Sequence, residues 1–476
     1  MHNSEYSVAM TQVVHNNLMN HLVREDRQED LVFALWTPSY GDKRLTALVH
    51  TPIYPQDGDR QRHGNASFNP QYFERACKLA MENNCGVTFM HSHPFPGWQR
   101  MSEDDVIAEK KMMGAIAGLT NLPLLGMTTG SDGVWSARFW VDMDDNSYTR
   151  KWCSSVRVLG KVLTSNFNDA LIPVPGFSEM FKRTITVWGE ENHKDMSRLR
   201  VGIIGLGSVG GAVAMCLARM GLTRLVFIDH DEIQRHNLDR LDYATIKDLG
   251  LLKVDIAKRR ALEIATASSL EVTAIPYSVA EEQGYKAALD CDVLFSGVDR
   301  PRPRSILNHM AYAHLIPIVD GGIDVRFKNE FFSGVDWQLQ TAGPERACLE
   351  CLGAFTSDDV STEIEGKLDD PSYIRGLPVE HRFRRNENVY PFSQNLASLE
   401  VLQFVALTTA CGGYDNFGVQ RYRYNPGILE SDTERECNHK CQINDLISTG
   451  DTCFKLYGKD LGAEAARRRQ KSIRRT

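Results

Sequence analysis

Two sets of residues in this 476-residue chain have the types and spacing to do chemistry, and they lie in different halves. In the second half an apolar run, Val201 to Ile204, leads into Gly205-Leu-Gly207-Ser-Val-Gly210 and then an alanine-rich stretch. A strand, glycine turn and helix in that order let backbone N–H groups at the helix start meet a phosphate. A second strand ends at Asp229, placed to accept from a ribose hydroxyl. The glycine pattern alone is weak. The continuation sharpens it: Asp231, Asn237, Arg240, Lys253 and Asp299 put cations and a carboxylate around the phosphates, more than hydride transfer needs.

In the first half, His91 and His93 flank one residue after the strand-like "CGVTFM". Strand periodicity points both imidazoles to one face. Asp105 lies at the start of an expected helix, with Ser102 one turn before it. Two histidines and one carboxylate leave a fourth zinc position open to water, the arrangement of a catalytic site, and zinc brings such a water to a pKa of about 7. Glu29 and Asp30, in "RQEDLVFALW", are upstream carboxylates just before a buried-looking strand. Two cysteine pairs, Cys348/Cys351 and Cys437/Cys441, form a third constellation, able to close a four-thiolate structural zinc site, with His439 as a competing ligand.

The second-half motifs, in order from about Phe181 to Ile443, resemble the ThiF family, adenylyltransferases that include the activating enzymes for ubiquitin and ubiquitin-like sulfur carriers. "FKRTITVWGEENHKDMSRLRVGIIG" carries Arg183 where the family has an arginine that reaches a nucleotide phosphate, often across a dimer. "HNLDRL" supplies Asn237 and Arg240, "LLKVDIAKRRA" supplies Lys253, and "DVLFSGVDRPRPRS" supplies Asp299, matching the carboxylate that holds magnesium. Leu241 and Arg300 depart from the usual residues at their positions. The resemblance implies attack of a protein carboxylate on the α-phosphate of ATP. Arg183, Arg240 and Lys253 would be the cationic clamp. Cys348 and Cys351 match a pair that closes a structural zinc site in the family. The segment from 352 to 409 has no cysteine, so a thioester on that loop is excluded by composition, leaving Cys411 or Cys453 only with unusual geometry.

"HSHPFPGWQRMSEDD" resembles the JAB/JAMM metalloprotease family over about Glu29 to Val141, with a loop from Pro94 to Met101 one residue longer than the commonest spacing. The resemblance implies His91, His93 and Asp105 as zinc ligands and Ser102 as a support for the tetrahedral oxyanion. An upstream acid would be the general base, and the family's usual glutamate favours Glu29 over Asp30.

The expected organisation is α/β throughout: a JAB/MPN-type metalloprotease domain over 1–145, a linker over 146–180, a Rossmann-like domain with a mostly parallel sheet over 181–455, and a basic, frayed tail over 456–476. A net charge of −7 gives no argument for nucleic-acid binding, no apolar run is long enough to span a bilayer, and the polar first residues carry no secretory signal. Eleven cysteines in such a chain suit thiols and metal rather than disulfides, and a cytoplasmic location is expected.

Together these readings imply a fusion enzyme. One domain trims or deconjugates a ubiquitin-like (β-grasp) protein with zinc, and the other adenylates that protein's terminal carboxylate with ATP and magnesium. The resemblance further implies a homodimer and a context such as bacterial operons for ubiquitin-like modification, some linked to antiphage defence, with a conjugating enzyme as a further partner left open. Two alternatives stand beside it: an NAD-binding oxidoreductase, which would leave Arg240, Lys253 and Asp299 idle, and a non-catalytic module that grips a ubiquitin-like partner.

Overall fold

The computed structural model describes residues 5–63, 65–143, 147–176, 179–328, 331–378, 381, 383 and 388–473. They divide into two units, one of Met1–Val174, Ala313–Leu315 and Leu446–Phe454, the other of Pro175–Tyr312, Ile316–Asp445 and Lys455–Thr476.

The first unit is built on a nine-stranded mixed sheet. Its strand Leu31–Tyr40 is buried at every position but the last, because its apolar residues serve both faces. Val32, Ala34 and Trp36 pack on one side with Leu18 and Leu22 of the helix Gln12–Leu22. Leu31, Phe33 and Leu35 pack on the other with Tyr72 and Ala76 of Pro70–Glu82 and Met112 and Ile116 of Glu103–Thr120. This is the two-residue alternation of a pleated strand, made apolar on both faces by burial. Gly86 sits opposite Trp36 in register, and any side chain there would overlap the indole ring. The strand Gly86–Ser92 then runs parallel to Leu124–Thr129, with the helix Glu103–Thr120 as crossover, which sets His91 beside Thr128.

The expected linker over 146–180 is corrected by this sheet. Tyr148–Trp152, Ser155–Leu159 and Leu163–Phe167 are strands of the first unit, and Ser155–Leu159 is buried throughout. Ser155–Leu159 pairs in parallel with Glu5–Thr11, a partner some 150 positions away that no local pattern announces.

In the second unit, five parallel strands run in the order Glu271–Ile275, Arg224–Ile228, Arg200–Ile204, Val293–Ser296 and Ile318–Lys328, and three antiparallel strands extend the sheet. Helices Ser208–Arg219, Lys253–Ile264, Glu282–Leu289 and Pro301–Ala313 connect the parallel strands, as right-twisted βαβ units require. Arg200–Ile204 is followed on one side by Arg224–Ile228 and then Glu271–Ile275, after which the chain crosses to Val293–Ser296 on its other side. That reversal of strand order opens a crevice at the carboxyl ends of the strands, where ligands bind in such sheets.

The frayed tail is also corrected. Leu461–Ile473 is a helix with Ala463 fully buried; Arg467 pairs with Glu281 and lies over the Tyr277 ring. No helix among the described residues is long and apolar enough to cross a membrane.

Candidate functional sites

A cavity of about 620 Å³ opens at the crevice of the second unit, and Gly205, Gly207, Asp229, Asp231, Asn237, Arg240, Lys253 and Asp299 all line it. Gly205 has φ +87°, and a side chain there would overlap the Gly297 carbonyl, so only glycine lets the turn sit against the neighbouring loop. Gly207 leads directly into the helix Ser208–Arg219, whose positive end therefore faces the cavity. Gly210 does not line the cavity; it lies so close to the Gly205 carbonyl that a side chain would overlap it, and its role is to seat the helix on the turn.

Hydrogen bonds hold this turn from both sides. Leu206 N–H donates to Asp229 Oδ2 at 2.7 Å, and the Tyr243 hydroxyl donates to the Leu206 carbonyl at 2.6 Å. Asp229 Oδ1 accepts from Asp231 N–H at 2.8 Å, so the carboxylate organises its own loop as well as facing the cavity. Lys253 Nζ lies 2.8 Å from Asp231 Oδ2 and 3.9 Å from Asp229 Oδ2. Burial alone would lower the Lys253 ammonium, but Asp229 and then Asp231 outweigh it and hold it above its ordinary value. Burial alone would raise Asp231, and Lys253 reverses that. Asn237 Oδ1 accepts from Gln234 N–H at 3.0 Å, shaping the turn that carries Arg240. Arg183, on the helix Lys182–Trp188, is exposed and outside the cavity lining.

Several cavity residues escaped the sequence reading. Arg304 donates through Nε to Asp320 Oδ1 at 2.8 Å and through Nη2 to the Val298 carbonyl at 3.0 Å, steadying the loop that bears Asp299. Arg302 Nη1 donates to the Lys459 carbonyl at 2.7 Å, and Lys459 to Gly462 line the cavity. The "PRPR" run after Asp299 was a readable signal for the arginines; the return of the chain's end was not.

In the first unit, the side chains of His91, His93 and Asp105 converge. Their donor atoms lie within 4.8 Å of one another, with the two Nε2 atoms 3.2 Å apart and Asp105 oxygens 3.2 Å from His91 and 3.5 Å from His93. Ser102 caps the helix Glu103–Thr120, accepting from Asp105 N–H at 3.1 Å, while Asp105 Oδ2 accepts from Ser102 N–H at 2.7 Å. This reciprocal box fixes the carboxylate against the histidine pair. Burial alone would raise Asp105, but hydrogen bonds from His91 and His93 outweigh it and hold the carboxyl well below its usual range. His93 is raised, chiefly by its hydrogen bond with Asp105. Two imidazoles and a carboxylate collected in so small a space suit a divalent transition metal.

Glu29 is half-buried near this cluster; burial raises its carboxyl, and His93 and His91 pull against that rise. Asp30 is fully buried and paired with Arg60 and, at 3.7 Å, Arg24, so it faces a different set of groups. The geometry therefore puts Glu29 in the electrostatic field of the histidine pair and Asp30 in an ion-pair network.

Sulfur atoms of Cys348, Cys351, Cys437 and Cys441 also lie within 4.8 Å of one another. Backbone N–H groups of Cys348, Cys351 and Asn438 point at the sulfurs of Cys437, Cys348 and Cys351, at 3.1, 3.4 and 3.4 Å. Four sulfurs so close together, three of them accepting from backbone N–H groups, are the donor set that suits a structural zinc. His439 is not part of this group.

Residues 181–412 match the ThiF family. Over 84 residues the chain is 32% identical to tRNA threonylcarbamoyladenosine dehydratase of Bacillus subtilis (strain 168), covering 18% of this chain and 33% of that protein. Over 164 residues it is 27% identical to SAMP-activating enzyme E1 of Haloferax volcanii, covering 34% and 57%. A crystal structure of E. coli MccB with ATP aligns with 57% of this chain and 76% of that one, at 17% identity and a TM-score of 0.42. The chain thus spans between a third and three fifths of the length of these two relatives. Residues 181–412 form a ThiF-family domain.

Proposed function

We propose that the second unit adenylates the terminal carboxylate of a ubiquitin-like protein with ATP, and that the first unit is a JAMM-type zinc peptidase that trims or deconjugates the same protein. The observation that carries the first half is the single cavity collecting the glycine turn, Asp229, Arg240, Lys253 and Asp299. Relatives named for activating a ubiquitin-like modifier or SAMP, and one named molybdopterin-synthase adenylyltransferase, support a protein carboxylate as substrate.

In the reaction a terminal carboxylate oxygen forms a bond to the α-phosphorus, the bond from that phosphorus to the bridging oxygen breaks, and pyrophosphate leaves. Lys253 and Arg240 offset the charge that grows on the phosphates, and N–H groups at the start of Ser208–Arg219 bind them. Asp299 would hold magnesium, which screens the leaving pyrophosphate. Arg183, exposed and outside its own cavity lining, suits a role across a homodimer, supplied to the partner's nucleotide.

In the first unit His91, His93 and Asp105 would hold zinc, whose chemistry is to polarise a carbonyl and acidify water. Glu29, with its carboxyl raised by burial, takes the proton of the attacking water and delivers it to the leaving amine. Ser102 keeps its capping bond to Asp105 and offers its hydroxyl to the developing oxyanion. Cys348, Cys351, Cys437 and Cys441 would hold a structural zinc. Transfer to a conjugating enzyme, a cytoplasmic setting and a place in antiphage defence extend the same reading.

The test is intact-mass spectrometry of a ubiquitin-like protein carrying a short extension beyond its terminal glycine, incubated with the enzyme, zinc, magnesium and ATP. Loss of the extension followed by gain of an adenylate is expected. An adenylate on a mature substrate with no trimming of the extended one would remove the peptidase half of the proposal and leave the other.

A further inference from the structure

One wall of the nucleotide cavity comes from outside residues 181–412, the part of the chain that matches the ThiF family: 459–462 line the cavity. Gly458 N–H donates to the Ala280 carbonyl at 2.8 Å, and Arg302 Nη1 donates to the Lys459 carbonyl at 2.7 Å. The segment is thereby held from two sides, by the loop after the strand Glu271–Ile275 and by the start of the helix Pro301–Ala313. The Ser278 hydroxyl and, at 3.0 Å, Ala463 N–H donate to the Asp460 carboxylate. One helical turn beyond Ala463, Arg467 forks onto Glu281, Nη1 to Oε2 at 2.8 Å and Nη2 to Oε1. Glu281 Oε2 also accepts from Ser278 N–H at 3.0 Å, and the Arg467 guanidinium lies 5.1 Å from the centre of the Tyr277 ring.

Strand order says which end of a nucleotide meets this wall. The glycine turn follows Arg200–Ile204, Asp229 follows the neighbouring Arg224–Ile228, and Tyr277, Ser278 and Val279 follow Glu271–Ile275, one strand farther out. A nucleotide with its phosphates at the turn and its ribose at Asp229 directs its base toward that third loop. Tyr277, Ser278 and Val279 all line the cavity there. Leu461 and Ile364 line it too, and they are 54% and 58% exposed. A side chain on Gly366, two residues beyond Ile364, would meet Leu461 Cδ1 at 3.4 Å, which places the leucine beside that loop. A leucine left half in water on a cavity wall is stabilised when a flat apolar face covers it, as a nucleobase does. The Arg467 fork keeps such a wall in place, because a bidentate guanidinium–carboxylate pair fixes orientation as well as distance.

We infer that the segment 458–462, fastened by Arg467, is the wall against which the nucleoside half of ATP is held, with Leu461 as a binding residue for the base. The inference rests on the adenylating reading of the second unit. Its test is calorimetric binding of ATP, AMP and pyrophosphate, with magnesium, to the full chain, for wild type, Leu461→Ala, Leu461→Met and Arg467→Ala. Leu461→Ala should weaken ATP and AMP alike by about fivefold, the scale of half a leucine side chain drawn from water, and leave pyrophosphate unchanged. Leu461→Met should keep most of the affinity that Leu461→Ala loses. Arg467→Ala should weaken both nucleotides several-fold and speed trypsin cleavage within 455–468. In the wild type, ATP and AMP should slow that cleavage and pyrophosphate should not, since the coupling between wall and nucleoside is reciprocal. Unchanged AMP affinity in Leu461→Ala, or a loss confined to ATP, overturns the inference and leaves the cavity assignment standing. A wild-type chain that binds neither ATP nor AMP overturns the nucleotide reading and the inference with it.

Discussion

The histidine cluster and the nucleotide cavity solve opposite problems. In the first, one donor atom from each of three side chains lies within 4.8 Å of the others. In the second, eight sequence-identified residues are spread around about 620 Å³, and the cations among them are already paired, Lys253 with Asp231 and Arg240 with Asp239. A small ion needs donors brought together; a polyphosphate needs cations kept apart yet held in place. Pairing each cation with a carboxylate does the latter, because the partner limits both motion and the desolvation cost before the anion arrives.

The contrast can be broken experimentally, beginning where the largest effect is expected. Asp299→Ala should reduce ATP–pyrophosphate exchange to background with acceptor present, while zinc content stays at wild type; unchanged exchange would end the assignment of the cavity. His91→Ala and His93→Ala should each remove the zinc of the first unit and stop peptide cleavage without touching exchange. Full occupancy at that site, measured by elemental analysis, would refute the ligand set. Cys348→Ser should cost one equivalent of zinc and lower the unfolding temperature of the second unit by several degrees, the scale on which about 1–2 kcal/mol acts in a domain. Gly210→Ala should raise the KM for ATP several-fold, since the new methyl group must push the helix off the Gly205 carbonyl that shapes the turn.

The smallest effect sharpens the electrostatics of the cavity. Burial raises the Glu363 carboxyl from 4.5 to about 7, against the pull of its bond from Arg302 N–H. A carboxyl raised on folding binds its proton more tightly in the native state. The stability it contributes is full below pH 4.5 and is lost as pH rises toward about 7. Denaturant titrations across that window should fall less steeply for Glu363→Gln than for wild type; parallel slopes would show that Glu363 ionises as an ordinary exposed acid.

Legibility followed distance along the chain. The glycine turn, Asp229 and the capping box of Ser102 and Asp105 are local patterns, and the residues read for them lie where those patterns place them. Gly210 was read as phosphate-facing because a motif does not say which glycine meets ligand and which meets backbone. The strands within 148–167 are lost in a polar stretch because Tyr148–Trp152 is short and buries none of its residues fully and Ser155–Leu159 places a buried arginine, Arg157, in its middle. The terminal helix was read as a frayed tail because its anchors, Glu281 and Tyr277, lie nearly two hundred positions upstream.

The first unit takes its last piece, Leu446–Phe454, from near the end of the sequence. Thr37 Oγ1 donates to the Ser448 carbonyl, Tyr40 N–H donates to Asp451 Oδ2 at 2.6 Å, and Gly450 is bare where a side chain would overlap the Pro38 carbonyl. A gene fragment stopping at residue 174 would therefore encode the histidine cluster but leave Leu31–Tyr40 without these contacts. During synthesis that unit gains its last piece only after every residue of the nucleotide turn already exists.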